Sequence, residues 1–108
     1  MEYELVREEV LRVAQRMLAL GLTVGDSGNV SARVPADGRL LLAITPHGQY
    51  YDTMAPADIV VVDEEGEPVA GDGIPSAELL LHAAIYRARP DAGAVIHAHP
   101  PFASAAAV

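Results

Sequence analysis

The chain contains no cysteine, which excludes disulfides, thiolate nucleophiles and thiolate metal ligands. It contains no lysine either: all seven positively charged side chains are arginines. Schiff-base catalysis needs a lysine amine, and a Walker-type phosphate loop ends on a lysine, so neither is encoded here. Apolar runs are short, and no bilayer-spanning segment is expected. The opening MEYELVREEV is acidic from its second residue. It lacks the basic-then-apolar order of a signal peptide, so a cytoplasmic location is the expectation. The formal net charge of -8 argues against nucleic acid and anionic membranes as partners. An anion would have to be held locally, by backbone N–H groups and the odd arginine.

What remains is a chain of 108 residues, 51% hydrophobic and 20% charged. That fits one soluble domain burying roughly two-thirds of its unfolded surface. Residues Tyr3 to Leu20 read as a helix, with Leu5, Val6, Val10, Val13, Met17 and Leu20 at three- and four-residue steps. Gly21 follows as a left-handed cap. The glycine-rich turn Gly25-Asp26-Ser27-Gly28-Asn29 leads into an alternating strand from Val30. A turn at Pro35 to Gly38 and an apolar strand, Leu40 to Ile44, complete a hairpin. Thr45-Pro46-His47-Gly48 breaks that strand. Ile59 to Val62 is a β-branched strand whose acidic turn, Asp63 to Gly66, starts a return ending near Val69. Ser76 caps a helix from Ala77 to Ala88, closed by Pro90. Ala94 to His99 forms a strand stopped by Pro100-Pro101, and Phe102 to Val108 opens a second apolar helix. Helix, strands, helix and strand in that order predict an α/β sheet with helices packed on it. The end falls inside an apolar, helix-prone run, the pattern of a fragment.

Chemistry concentrates in three places. His97 and His99 lie two apart at a strand end, so both imidazoles share a face and form a potential pair of metal ligands; as an isolated pattern they read more often as ordinary strand-end residues. Glu78 sits in the first turn of the second helix, where the dipole alone favours a carboxylate. Its functional reading is a metal ligand or a proton-abstracting base. His82, one turn further on, reads best as a buried core histidine. The turn Gly25 to Asn29 offers backbone N–H groups to an anion, although Asp26 would repel a phosphate beside it.

Four segments together resemble the class II aldolase/adducin family. They are Gly21-Leu22 through Gly28-Asn29-Val30-Ser31-x-Arg33; Ile44-Thr45-Pro46-x-Gly48; Pro75-Ser76-x-Glu78-x-x-x-His82; and Ile85-Tyr86-x-x-Arg89-Pro90-Asp91-x-x-Ala94-Val95-Ile96-His97-x-His99. The resemblance implies a layered α/β/α fold around a mainly antiparallel sheet, with residues 1–108 forming the N-terminal half of one domain. It implies that His97 and His99 are two of three histidine ligands to zinc or another divalent transition metal. Glu78 would touch the metal and act as the acid/base, and Gly28, Asn29, Gly48 and Ser76 would hold the substrate's phosphate. The activity implied is that of a metal-dependent lyase, cleaving a small sugar-like hydroxy-carbonyl compound through a metal-stabilised enediolate. Without lysine, electron withdrawal from a carbonyl has to come from a metal. Epimerase, dehydratase or decarboxylase chemistry on the same scaffold is the alternative, as is a non-catalytic adducin-like interaction domain. The resemblance also implies a homo-oligomer, a tetramer, with sites between subunits. Three residues depart from the family pattern. Asp26 stands where threonine is common, Ala77 replaces a second serine, and His47 replaces a small hydroxyl residue. Either the substrate differs from the usual sugar phosphate, or His47 donates to a phosphate as a cation.

Overall fold

The computed structural model describes residues 1–100; the expected helix Phe102–Val108 lies outside the described residues. Helix α1 spans Glu4–Ala19, and strands β1 (Asn29–Val34) and β2 (Leu41–Ile44) form the expected hairpin. Single 3-10 turns at Tyr51–Thr53 and Pro56–Asp58 lead to β3 (Val60–Asp63) and β4 (Pro68–Ala70). Helix α2 (Leu79–Ala88) and strand β5 (Ala94–His97) follow. The sheet order is β4-β3-β2-β1-β5, and every neighbouring pair is antiparallel. Among the described residues, no helix is long and apolar enough to cross a membrane.

Strands β2 and β3 read as unbroken apolar runs because both of their faces are covered. Side chains alternate across a strand, so Leu41, Ala43 and Val61 pack with Val10, Leu11, Ala14 and Met17 of α1. Leu42, Ile44, Val60 and Val62 face the other way, onto Leu79, Ala83 and Tyr86 of α2. This is the α/β/α layering that the family resemblance implies. Burial of Leu42 or Ile44 stabilises by roughly 1.5–3 kcal/mol each, and truncating Leu42 to alanine costs about 2–5 kcal/mol.

The buried face of α1 is rotated from the sequence expectation. Arg7, Val10, Leu11, Ala14 and Met17 are buried, whereas Leu5 and Leu20 are 79% and 57% exposed. Leu20 is the C-cap residue, beyond the last helical turn over the sheet. Arg7 is accommodated because its guanidinium donates to the carbonyls of Ile59 (2.9 Å), Ala57 (2.8 Å) and Glu2 (3.1 Å); a buried charge with its donors satisfied is tolerable. The C-terminal cap is as expected. Gly21 has φ +72, and the Gly21 and Leu22 N–H groups donate back to the Leu18 and Met17 carbonyls at 3.1 Å each, a Schellman motif.

Two further boundaries differ from expectation. Helix α2 starts at Leu79, with Glu78 at the N-cap position, so Glu78 precedes the first turn and Ser76 is not the N-cap. Extended chain persists because Ser76 N–H donates to the Thr45 carbonyl at 3.0 Å and Pro46 bridges to Pro75. The Ser76 hydroxyl instead accepts from the Glu78 N–H at 3.2 Å. Strand β5 ends at His97, not His99, because its partner β1 begins at Asn29, directly opposite His97. His99 N–H turns to the Leu22 carbonyl instead, at 3.0 Å.

Candidate metal centre and substrate cleft

The site forms where three chain segments end together: the start of β1, the start of α2 and the end of β5. The segment Thr23 to Gly28 supports it from below. Tyr51 Oη–H donates to the Gly28 carbonyl, and a Cβ added at Gly28 would lie 2.8 Å from the His97 carbonyl oxygen and 3.0 Å from Thr23 Oγ1. With φ at +75, this position needs glycine for both backbone conformation and space. Tyr51 was not singled out from the sequence, since a tyrosine in a polar connection carries no pattern of its own.

Glu78, His97 and His99 meet at the rim. Their candidate ligand atoms lie within 4.8 Å of one another, and the two imidazole centroids are 4.5 Å apart. Glu78 Oε2 accepts from His97 Nδ1 and, at 3.2 Å, from Asn29 Nδ2. A proton on Nδ1 is what lets a ring nitrogen and a carboxylate oxygen, both otherwise acceptors, sit together. Two imidazoles and a carboxylate are a donor set suited to zinc, which takes His nitrogen and carboxylate oxygen at about 2.0–2.2 Å, so the residues present fit a divalent transition metal. Partial desolvation pushes the Glu78 carboxyl upward. Hydrogen bonds from Asn29 and His97, with the charges of both histidines, outweigh it and hold the group below the usual carboxylate range. It is therefore ionised at neutral pH.

Beneath the rim lies a cleft of about 230 Å³. Gly28, Asn29, Gly48, Ser76, Glu78 and His99 all line it, and so do the three departing residues Asp26, His47 and Ala77. His97 adjoins through its bond to Glu78. The residues that distinguish this sequence from the family pattern therefore face the same space as those that match it.

His82 is fully buried, as expected of a core histidine. Its Nδ1 meets Ser31 Oγ at 2.6 Å, its Nε2 meets Asn29 Oδ1, and Ser31 Oγ in turn meets Tyr86 Oη at 2.8 Å. Burial pushes the imidazole pKa down to about 4; the Glu78 charge opposes this only in part, and the His97 charge adds to it. The ring is neutral under ordinary conditions. Sequence reading gave Ser31 and Tyr86 no role. The signal was present: Glu78, His82 and Tyr86 fall at four-residue steps, a polar stripe on one helix face. Arg33 secures the far end of α2, donating to the Tyr86 carbonyl (2.9 Å) and the Ala92 carbonyl (3.0 Å).

Known proteins are similar to this chain in sequence and in fold. A 5-methylthioribulose-1-phosphate/5-deoxyribulose-1-phosphate aldolase of Escherichia coli O45:K1 is 44% identical over 108 residues, which is 100% of this chain and 48% of that protein. The L-fuculose phosphate aldolase of Escherichia coli K12 is 39% identical over 99 residues, 92% of this chain and 44% of that protein. A methylthioribulose-1-phosphate dehydratase of Granulibacter bethesdensis is 42% identical over 90 residues, 83% of this chain and 41% of that one. The solved structure of an L-fuculose 1-phosphate aldolase superposes with a TM-score of 0.87 at 34% identity, covering 99% of this chain and 50% of that one. The chain spans about half the length of the curated relatives it matches. The pattern of the family described as Class II Aldolase and Adducin N-terminal domain matches residues 8–108, and the chain belongs to that family.

Proposed function

We propose that this chain supplies two metal-ligating histidines, the acid/base carboxylate and the substrate cleft of a divalent-metal aldehyde-lyase acting on a small sugar-like hydroxy-carbonyl compound. The observation that carries the reading is the convergence of Glu78, His97 and His99 at the rim of the cleft. His97 and His99 would hold zinc or another divalent transition metal together with a third ligand from outside residues 1–100. A bound divalent cation withdraws electrons from a substrate carbonyl as a Lewis acid.

Glu78 moves the proton. Its carboxylate, kept ionised by Asn29 and His97, takes the hydroxyl proton whose loss starts carbon–carbon cleavage, and returns it to the carbon left electron-rich. Gly28, Asn29, Gly48 and Ser76 bind the substrate's phosphate, with donors supplied by the Asn29 amide and Ser76 hydroxyl. The names of the relatives, phosphorylated-sugar aldolases at 44% and 39% identity, support that substrate class. A cytoplasmic homo-oligomer, a tetramer, completes the reading.

The dehydratase relative at 42% identity favours dehydration as the second reading. Product analysis separates the two: an aldehyde-lyase splits the carbon skeleton into two carbonyl compounds, whereas a dehydratase releases water and keeps the skeleton whole. Zinc analysis of the protein and of the His97→Ala/His99→Ala double variant tests the metal centre. Full occupancy in the double variant would falsify it.

A further inference from the structure

The proton directions in the buried network behind the cleft follow from the placement of one carboxamide. Asn29 Nδ2 faces Glu78 Oε2 at 3.2 Å, and the carboxamide oxygen faces away. Asn29 Oδ1 points at His82 Nε2, and an amide oxygen cannot donate. His82 Nε2 must therefore carry the ring proton. Nδ1 is then bare and accepts from Ser31 Oγ–H at 2.6 Å, which leaves the Ser31 oxygen to accept from Tyr86 Oη–H at 2.8 Å. Every donor from Tyr86 to Glu78 is thereby assigned. Three of the four groups that set it, Ser31, His82 and Tyr86, are sealed from water.

The same heavy atoms allow a second arrangement. With the proton on His82 Nδ1, the bare Nε2 would draw the Asn29 NH2 group and turn Oδ1 toward Glu78. Two acceptors would then face each other at the carboxylate, a repulsive contact. His82 thus sits at the point where one proton decides which end of the Asn29 amide the Glu78 carboxylate meets.

We propose that His82 is a positioning residue for the centre: its Nε2–H locks the Asn29 carboxamide so that an N–H, not an oxygen, is presented to Glu78. The ring touches neither the cleft nor the two histidines at the rim, and it acts through Asn29. The inference rests on the reading of Glu78 as the carboxylate that faces the metal. Asn29 is the partner one step removed from the ligand, a place whose loss typically weakens metal binding about tenfold or more, and His82 is what fixes the direction of its amide.

The test uses the whole protein. Long-range proton–nitrogen spectra of histidine-labelled, metal-free protein should show His82 protonated at Nε2 and bare at Nδ1; the opposite tautomer overturns the proposal. In His82→Phe the Asn29 side-chain amide resonances should move, and the zinc dissociation constant, measured by chelator competition, should rise about tenfold. In His82→Gln, whose amide nitrogen can still donate to Asn29, zinc affinity should stay within about threefold of the parent. A folded phenylalanine variant with parental zinc affinity and unmoved Asn29 resonances overturns the proposal, as does a glutamine variant no better than phenylalanine. Should the phenylalanine variant not fold, the tautomer and the glutamine variant decide by the same criteria. Absence of zinc binding by the parent protein would instead count against the metal reading of the site, and the tautomer and the Asn29 resonances would still judge His82.

Discussion

Asn29 on β1 stands directly across the antiparallel ladder from His97 on β5, and Glu78 Oε2 accepts a hydrogen bond from each. The carboxylate therefore bridges two neighbouring strands from a third element, the N-terminus of α2. Strand register alone brings the amide and the imidazole side by side. A one-residue slip of β5 would send His97 to the opposite face and dismantle the centre without changing a single local conformation.

Replacing the carboxylate tests its chemical role most directly. Glu78→Gln keeps the size and the capacity to meet Asn29 but removes the base. The variant should fold and still bind zinc through His97 and His99, though at least about tenfold more weakly, and at saturating zinc its lyase rate should be reduced about 100- to 10,000-fold. An undiminished rate in steady-state assays would remove Glu78 from the mechanism.

Each rim histidine should matter for metal, not for folding. His97 and His99 are partly or fully exposed, so alanine at both positions should leave the urea unfolding midpoint of the metal-free protein nearly unchanged, since exposed substitutions usually shift stability by less than about 0.5 kcal/mol. Bound zinc, measured by atomic emission, should fall to background.

Gly28→Ala should damage the centre through the backbone. Its Cβ would press on the His97 carbonyl at 2.8 Å, at a φ of +75 that side chains rarely adopt. The expected loss is about 1–3 kcal/mol in denaturant unfolding. Gly38, also at positive φ but with open space around it, is the control, and Gly38→Ala should cost less. Equal losses at the two positions would show that packing against His97 adds nothing.

Acid should weaken the fold through His82. The buried ring titrates at about 4, below its ordinary 6.5, so the unfolded chain takes up a proton that the folded chain refuses. Stability from this group is full above about pH 6.5 and is lost progressively as pH falls toward 4, by up to roughly 3 kcal/mol. The Glu78 carboxyl, held low, adds its own loss only below its ordinary 4.5. Between those limits, the pH dependence of unfolding free energy should be visibly shallower in His82→Gln than in the parent. Identical slopes would refute the assignment.

Much of the fold was legible because it follows from local rules. The short apolar runs Leu40 to Ile44 and Ile59 to Val62, bounded by turn residues, read as strands, and Pro35 to Gly38 mark the hairpin between β1 and β2. The misread boundaries share one cause. Ser76 would cap a helix in isolation, but its N–H is taken by the Thr45 carbonyl, so a tertiary bond overrode a local preference. Leu5 and Leu20 match the helical period, yet the sheet lies under Arg7, Val10 and Ala14; periodicity identifies a face only to within its own width.

The sequence by itself determined the elements, their order and the types of group available: imidazole and carboxylate present, thiol and amine absent. Those depend on composition, spacing and turn chemistry, each set within a few residues. Only the tertiary structure decided which of them touch. The meeting of Glu78 with His97, and the buried line from Tyr86 through Ser31 and His82 to Asn29, depend on how α2 docks on β1 and how β5 registers beside it. That docking is settled by packing of apolar side chains far apart in the chain, which no local spacing encodes.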